Sequence, residues 1–203
     1  MLYQIKVTLT GSKPPIWRRL LVPGAYTLGD LHQLLQVVFG WEHAHMHQFI
    51  VGALHFGEPS PHDWDPVEDE DKVRVEQVLG AVKDSITYEY DFGDSWRHKI
   101  TVEKVLEEPE EGASASCVAG RRAGPPEDCG GIWGYENLLA IQADPSHPEH
   151  EERMEWYGEP IDPAFFDLAE VARAVRSLAA TMDRAATGKP RARRASKRPK
   201  GRA

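Results

Sequence analysis

The chain has 203 residues, of which 41% are hydrophobic and six are tryptophan, so it can bury one good core. No stretch approaches the roughly 18 apolar residues of a membrane span, and the N-terminus enters a strand pattern directly rather than a signal peptide. We therefore expect a cytoplasmic protein with no membrane contact. Cys117 and Cys129 suit a reducing compartment, where thiols or ligands are expected rather than a disulfide.

Charge is distributed unevenly along the chain. The net charge is −8, but nine of the 24 basic residues and none of the 32 acidic residues lie in 184–203, so residues 1–183 carry −17. This predicts one domain over 1–183 and a disordered basic tail over 184–203, which has too little apolar surface to fold. The tail is expected to contact either nucleic acid or the acidic body. Its candidate phosphate-binding residues are Arg191, Arg193, Arg194, Lys197 and Arg198.

The first forty residues predict a long hairpin followed by a helix. Apolar side chains alternate over 3–9 and again over 16–22, which is typical of two strands with one buried face. Thr27 and Asp30 then form a capping-box pattern before leucines at helical spacing, and Gly40 ends the helix. We predict an α+β fold with a mixed, mainly antiparallel sheet built from hairpins. One helix packs after the first hairpin, and a helical segment lies at the C-terminal end.

Three alternating histidines follow the first helix. If His43, His45 and His47 lie in an extended segment, all three rings share one face, and two of them can chelate a transition metal such as zinc. If the segment is a turn, the rings scatter. Beyond them, residues 58–71 are rich in proline and acid, which predicts an exposed loop.

The centre of the chain predicts a second hairpin with a polar tip. Residues 85–90 and 98–105 alternate like strands, and the join between them carries Asp91, Gly93 and Asp94. The two carboxylates, with His98 on the returning strand, either cap the turn or bind a cation. The tripeptide from Asp91 to Gly93 matches a kinase motif, but the glycine-rich loop, strand lysine and catalytic segment of a kinase are missing.

The run 117–135 is unusually rich in proline and glycine. We expect an irregular, rigid loop there, followed by a short helix from Tyr135, a polar helix over 149–157 and a capped helix from Asp167. We also predict that this loop and the hairpin tip meet in one cleft. The candidate binding residues of the cleft are Asp91, Asp94, Trp96, His98, Asp128, Cys129 and Trp133.

Several ordered motifs together carry a family resemblance. They are Pro15-Ile16-Trp17-Arg18-Arg19, Thr27-Leu28 with Leu31-His32, Phe39-Gly40-Trp41 with His45, His47 and Phe49, the hairpin from Tyr88 to His98, residues 125–135, and Asp162-Pro163 with Phe166. Over residues 1 to about 182 the chain resembles the plasmid pRiA4b ORF-3-like protein family, sometimes labelled an insertion-sequence passenger protein.

The resemblance implies an α+β domain that occurs widely in bacteria and archaea and on mobile elements, with no established activity. Many relatives have a cysteine where this chain has Gly124, so a cluster of three thiolates is not expected here. The passenger label sometimes implies a resolvase. However, Ser12, Ser60, Ser85 and Ser95 do not stand among the several arginines that hold the scissile phosphate in such enzymes, and no helix-turn-helix follows the core.

Two functions remain open from the sequence. The first is a non-catalytic binding module for a protein or nucleic acid, which uses the cleft just described. The second is a metal-dependent hydrolase or metal-stabilised site built from Asp91, Asp94 and His98 with His45 or His47. The metal candidates are His45, His47, Asp91 and His98, and a divalent transition metal such as zinc is the implied cofactor.

Overall fold

The structure, a computed structural model, describes residues 1–60, 67–107 and 113–186. Within these residues one eight-stranded sheet runs in the order β5-β4-β3-β6-β7-β1-β2-β8. Each neighbouring pair is antiparallel except β4 and β5, which are parallel. The strands are β1 (Leu2–Leu9), β2 (Trp17–Pro23), β3 (His47–Val51), β4 (Leu54–Gly57), β5 (Glu68–Asp69), β6 (Ser85–Tyr90), β7 (Trp96–Leu106) and β8 (Ser116–Arg121).

Five α-helices join the sheet in the described part of the chain. They are α1 (Leu28–Phe39), α2 (Val75–Val78), α3 (Gly131–Ala143), α4 (His150–Tyr157) and α5 (Leu168–Ala186), and a 3₁₀ helix spans Glu70–Lys72. The mixed, mainly antiparallel sheet and the helices confirm the predicted α+β fold. None of the helices in the described ranges is long and apolar enough to cross a bilayer.

The alternating pattern of β1 buries one side of the sheet against α1. Ile5 and Val7 are fully buried on this strand, and Leu31 and Leu34 of α1 join them in one hydrophobic cluster. Burying a leucine or isoleucine side chain contributes about 1.5–3 kcal/mol. The central pairing of β1 with β7 brings the second hairpin beside the first. Ring contacts of Phe39 with His98 and of Trp41 with Trp96 place the C-terminal end of α1 against the second hairpin.

Helix α1 begins and ends where its sequence predicts. The Thr27 hydroxyl accepts a hydrogen bond from the Asp30 amide at 3.0 Å, and the Asp30 carboxylate accepts one from the Thr27 amide at 3.0 Å. Gly40 ends the helix with φ 80°, a left-handed conformation that glycine adopts without a Cβ penalty. Both ends of α1 are therefore determined by local sequence.

Arg18 of β2 connects the C-terminal end of α1 to strands β2 and β8 through hydrogen bonds. It is only 2% exposed, and its guanidinium donates to the carbonyl oxygens of Val38 at 2.6 Å, Trp17 at 2.9 Å and Arg121 at 3.1 Å. Val38 lies in the last turn of α1, where carbonyl groups lack partners within the helix. Arg18 thus caps the C-terminal end of the helix from β2.

The proline- and glycine-rich run is partly regular, which corrects the prediction of an irregular loop over 117–135. Its first residues form β8 against β2, and its last residues begin α3. Gly120 is tolerated in the strand because the ring of Phe166 occupies the place of a side chain. Gly130, at φ 90°, provides the left-handed turn that starts α3. The irregular part is confined to residues 122–130.

Helix α5 packs on β8 and α1 and reaches into the segment predicted as the tail. Its first turn is capped as predicted, since the Asp167 carboxylate accepts from the Glu170 amide at 3.0 Å. Residues 184–186 belong to α5, and the rest of the predicted tail, including its five candidate phosphate-binding residues, lies outside the described residues. Cys117 and Cys129 are both free.

Candidate functional site

A cavity of about 570 Å³ opens along one side of α1. Its walls come from α1, the segment after it, the residues around β5 and the 3₁₀ helix, and one residue of α5. The lining residues are Gly29, His32, Gln33, Gln36, Val37, Trp41, Glu42, His43, His47, Glu58, Pro59, Asp69, Glu70, Asp71 and Leu178. Three histidines and five carboxylates thus surround one space.

A closed ring of hydrogen bonds orients two of these histidines. The Gln36 side-chain oxygen accepts from the His43 amide at 2.9 Å, so its nitrogen is the donor to the Tyr88 hydroxyl at 3.0 Å. The Tyr88 hydroxyl also pairs with His32 Nδ1 at 2.7 Å, and His32 Nε2 pairs with His43 Nδ1. These contacts hold the rings of His32 and His43 in place.

His32 stays neutral in this ring. Burial, together with the nearby His47 and His43 rings, lowers the pKa of His32 to about 2. A neutral imidazole has one donor and one acceptor nitrogen, which matches its two hydrogen bonds. His32 is therefore a fixed structural link between the core and the cavity.

The third histidine of the cavity, His47, pairs with Glu70. His47 Nε2 lies 2.9 Å and 3.0 Å from the two Glu70 carboxylate oxygens, and its ring stacks on His32 with centroids 3.5 Å apart. Glu70 is only 7% exposed, which corrects the expectation that the whole acidic segment is an exposed loop. Glu70 is the first residue of the 3₁₀ helix, and its buried carboxylate is paired with His47 of β3.

The three alternating histidines do not share one face. His43 has a left-handed backbone at φ 58° and β3 begins only at His47, so the segment turns before the strand. The rings of His43 and His47 face His32, whereas His45 points away towards the hairpin tip. The chain follows the second of the two alternatives, in which a turn separates the rings.

His45 joins the hairpin tip to the proline-glycine loop. Its Nδ1 lies 3.8 Å from Asp91 Oδ2, and its Nε2 lies 3.3 Å from Asp128 Oδ1. One nitrogen of His45 and one oxygen of each aspartate all lie within 4.8 Å of one another. His45 Nε2 is buried and, within the described residues, makes no hydrogen bond, because its contact with Asp128 lacks hydrogen-bond geometry. We call these three residues the His45 cluster.

Backbone contacts hold the two aspartates of the cluster. Asp91 and Asp128 have left-handed backbones, with φ 57° and 56°. The Asp91 Oδ1 atom accepts from the amides of Gly93 at 2.9 Å and Asp94 at 3.3 Å, which leaves Oδ2 facing His45. The Asp94 carboxylate accepts from the Gly130 amide at 3.1 Å and ties the hairpin tip to the loop. Asp91 therefore caps the turn, which is one of the two alternatives predicted for it, and its second oxygen faces His45.

The residue before Asp128 fixes the loop to the sheet. The Glu127 carboxylate accepts hydrogen bonds from the Tyr90 hydroxyl and, at 3.1 Å, from the Glu42 amide. Trp41 donates its indole N–H to the Pro125 carbonyl oxygen at 2.9 Å. These contacts set the position of the loop against the hairpin.

Not all residues predicted for the cleft are there. Trp96 is 1% exposed and His98 is fully buried, and both pack against Trp41 in the core. Trp133 is 81% exposed on α3. Asp91, Asp94 and Asp128 come together, and Cys129 lies beside them as a half-buried thiol whose pKa is raised to about 12 by burial and by the nearby Asp94.

His98 lies apart from the metal candidates with which it was grouped. Its Nδ1 pairs with the Trp96 carbonyl oxygen at 3.0 Å, and its ring contacts Phe39 and Tyr88. Burial lowers the pKa of His98 to about 3. The alternating pattern correctly placed His98 on the inward face of β7. That face packs into the hydrophobic core, so His98 does not reach the predicted cleft.

Sequence reasoning missed His32, Gln36 and Glu70. His32 and Gln36 lie one turn apart on α1, and their polar side chains on a helix buried on most sides are the signal that was available. Glu70 had no such signal, because it stands among other acidic residues. Its buried position depends on the contact with His47, which lies on β3, far from Glu70 in the sequence.

Comparisons with known proteins identify a family, a related sequence and a similar solved structure. The family model for plasmid pRiA4b ORF-3-like proteins matches residues 1–170. The uncharacterized protein y4hQ of Sinorhizobium fredii is 36% identical over 192 residues, which cover 92% of this chain and 96% of that protein. The crystal structure of MM3350 from Methanosarcina mazei Go1, a protein of unknown function, is similar with a TM-score of 0.73 and 37% identity. That likeness covers 83% of this chain and 96% of that chain. By sequence and fold together, the chain belongs to the plasmid pRiA4b ORF-3-like protein family.

Proposed function

We propose that this chain is a non-catalytic binding module whose cavity receives a positively charged side chain of a partner protein. The observation that carries the proposal is the composition of the cavity wall. Among the described residues, those that line it include no lysine or arginine, and five of them carry carboxylates: Glu42, Glu58, Asp69, Glu70 and Asp71. An arginine or lysine side chain is the protein group that such a wall attracts.

Crowding of the carboxylates supports a cationic ligand. Burial raises the pKa of Asp71, and the neighbouring charges of Glu70 and Asp69 raise it further. A bound cation would relieve this repulsion, because an opposite charge within hydrogen-bond distance favours the ionised carboxylate. Glu70 is also held in place by His47, so its carboxylate is positioned before the ligand arrives.

The state of His32 favours binding over catalysis. This histidine is neutral and both of its nitrogens are engaged. A general base needs a pKa close to the working pH. His32 therefore supports the shape of the site rather than proton transfer.

The acidic wall also favours a protein over a nucleic acid as the partner of the cavity. Phosphate groups are repelled by a carboxylate cluster, and a nucleic-acid-binding domain normally presents a basic face. The basic tail is the part of the chain that suits phosphate, and its proposed role is separate from that of the cavity.

The test uses a small probe of the arginine side chain. Butylguanidinium is titrated into the full-length chain while the imidazole NMR signals are followed, and butylurea serves as the uncharged isostere. Saturable shifts of the His43 and His47 signals are expected with butylguanidinium only. The variant Glu70→Gln should weaken binding by about 10-fold or more, since a charged hydrogen bond contributes about 1.5–3 kcal/mol.

A charge-matched control separates the cavity from the acidic surface. Glu152→Gln on α4 removes one exposed carboxylate, and its affinity for butylguanidinium should equal that of the wild type within about twofold. Equal binding of butylurea, or an equal loss in both variants, would contradict the proposal.

A further inference from the structure

We infer that the His45 cluster is a binding site for a divalent transition-metal ion, with the chemistry of Zn²⁺. The inference goes beyond the proposed cavity function and does not depend on it. His45, Asp91 and Asp128 do not line the cavity, and they come from three separate segments: the turn before β3, the hairpin tip and the loop before α3.

The spacing of the donor atoms suits a metal. Zinc binds imidazole nitrogen and carboxylate oxygen at about 2.0–2.2 Å, so two ligands of a tetrahedral ion lie about 3.4 Å apart. His45 Nε2 and Asp128 Oδ1 are 3.3 Å apart, which already matches. One nitrogen of His45 and one oxygen of each aspartate lie within 4.8 Å of one another. Asp91 Oδ2 faces the other nitrogen of the ring, Nδ1, at 3.8 Å, so the side chains must rotate to bring all three donors onto one ion.

The hydrogen bonding of the cluster leaves its donor atoms available. His45 Nε2 is buried, and no hydrogen bond to it is found in the described part of the chain. A buried polar atom without a partner is unfavourable, and a metal ion would supply the missing partner. The two backbone amides that bond Asp91 Oδ1 act as the outer contacts that commonly orient a metal-binding carboxylate, with Oδ2 turned towards His45.

The nature of the donors selects the ion. An imidazole nitrogen favours zinc and other transition metals over Mg²⁺ and Ca²⁺, which prefer oxygen donors alone. Three protein ligands leave a fourth position, and Asp128 is 67% exposed, so water has access from that side. The bound ion would also tie the loop before α3 to the hairpin tip, since its ligands come from both.

The experiment measures Zn²⁺ binding to the full-length chain after dialysis against a chelator. Calorimetry in the presence of excess Mg²⁺ should show one saturable site per chain. His45→Gln and Asp128→Asn should each weaken Zn²⁺ binding at least 10-fold, whereas His55→Gln, an exposed histidine on β4, should stay within about twofold of the wild type. Co²⁺ in place of Zn²⁺ should give visible absorption bands that change in the first two variants only.

Asp128→Asn keeps the test independent of folding. The side chain is exposed, and asparagine accepts the left-handed backbone of this position. Unchanged affinity in both cluster variants would overturn the inference, as would the lack of saturable binding in the wild type. Glu70→Gln should leave Zn²⁺ affinity unchanged. A loss in that variant with normal binding in Asp128→Asn would assign the ion to the cavity instead.

Discussion

Replacing Arg18 with methionine should be one of the most damaging single changes outside the candidate site. Methionine keeps much of the aliphatic volume between the rings of Phe39 and Phe166, on which the guanidinium packs at 5.0 Å and 4.4 Å. It removes the donors to the carbonyl oxygens of Val38, Trp17 and Arg121. The change therefore tests the hydrogen bonds more than the packing.

The magnitude follows from two opposing terms. Leaving the buried Val38 carbonyl oxygen without its donor destabilises by about 1–3 kcal/mol. The part-buried bonds to Trp17 and Arg121 come from a charged donor and contribute about 1.5–3 kcal/mol each, so the three losses together are about 6 kcal/mol. Burial lowers the pKa of Arg18 to about 10 from 12.5, which means that the buried charge already disfavours the folded state. At 1.36 kcal/mol per pKa unit, methionine regains about 3 kcal/mol of that penalty. The net loss of unfolding free energy should be about 3 kcal/mol.

The assay is urea unfolding at neutral pH, followed by tryptophan fluorescence and circular dichroism. Arg19→Met is the matched control, because Arg19 is the next residue of β2 and points the other way to Glu103. That ion pair is partly exposed, with 30% and 25% of the two side chains accessible, so its loss should destabilise by about 1 kcal/mol or less. A loss for Arg18→Met no larger than for Arg19→Met would refute the argument that Arg18 caps α1.

Three further predictions concern other parts of the chain. His98 is buried neutral with its pKa lowered to about 3, against about 6.5 in the unfolded chain, so its contribution to stability is complete above pH 6.5 and is lost as the pH falls towards 3. Between pH 6.5 and 4.5 the wild type should lose about 2 kcal/mol more than His98→Gln in urea unfolding, and parallel pH profiles would contradict this. Gly124→Ala should destabilise by about 1–3 kcal/mol, because the added Cβ would overlap the Phe39 carbonyl oxygen, and an unchanged thermal midpoint would count against that close approach. Truncation after Ala186 should remove a salt-dependent DNA affinity with a slope near −4 to −5 if about five tail cations contact phosphate. Fluorescence anisotropy over a salt series would exclude tail-mediated binding if both chains gave equal affinity and slope.

The sequence alone determined several elements of this protein and its family. Alternation of apolar residues predicted β1, β2, β6 and β7, because a strand exposes alternate side chains to opposite faces. The capping pair of Thr27 and Asp30 and the terminal Gly40 predicted both ends of α1. These signals are local: they depend on backbone preferences and hydrogen bonds within a few residues. The ordered motifs predicted the family, which the comparisons confirmed.

Only the tertiary structure decided which polar residues share a site. Alternation placed His98 on an inward face but could not show that the face is the core, and it could not separate His45 from His43 and His47. His45 meets Asp91 because β3 pairs with β6. It meets Asp128 because the loop is held against the hairpin by Tyr90 and Asp94. Such contacts join segments far apart in the chain, so they depend on the order of the strands and the path of the loops. A local sequence pattern contains no information about the order of the strands or the path of the loops.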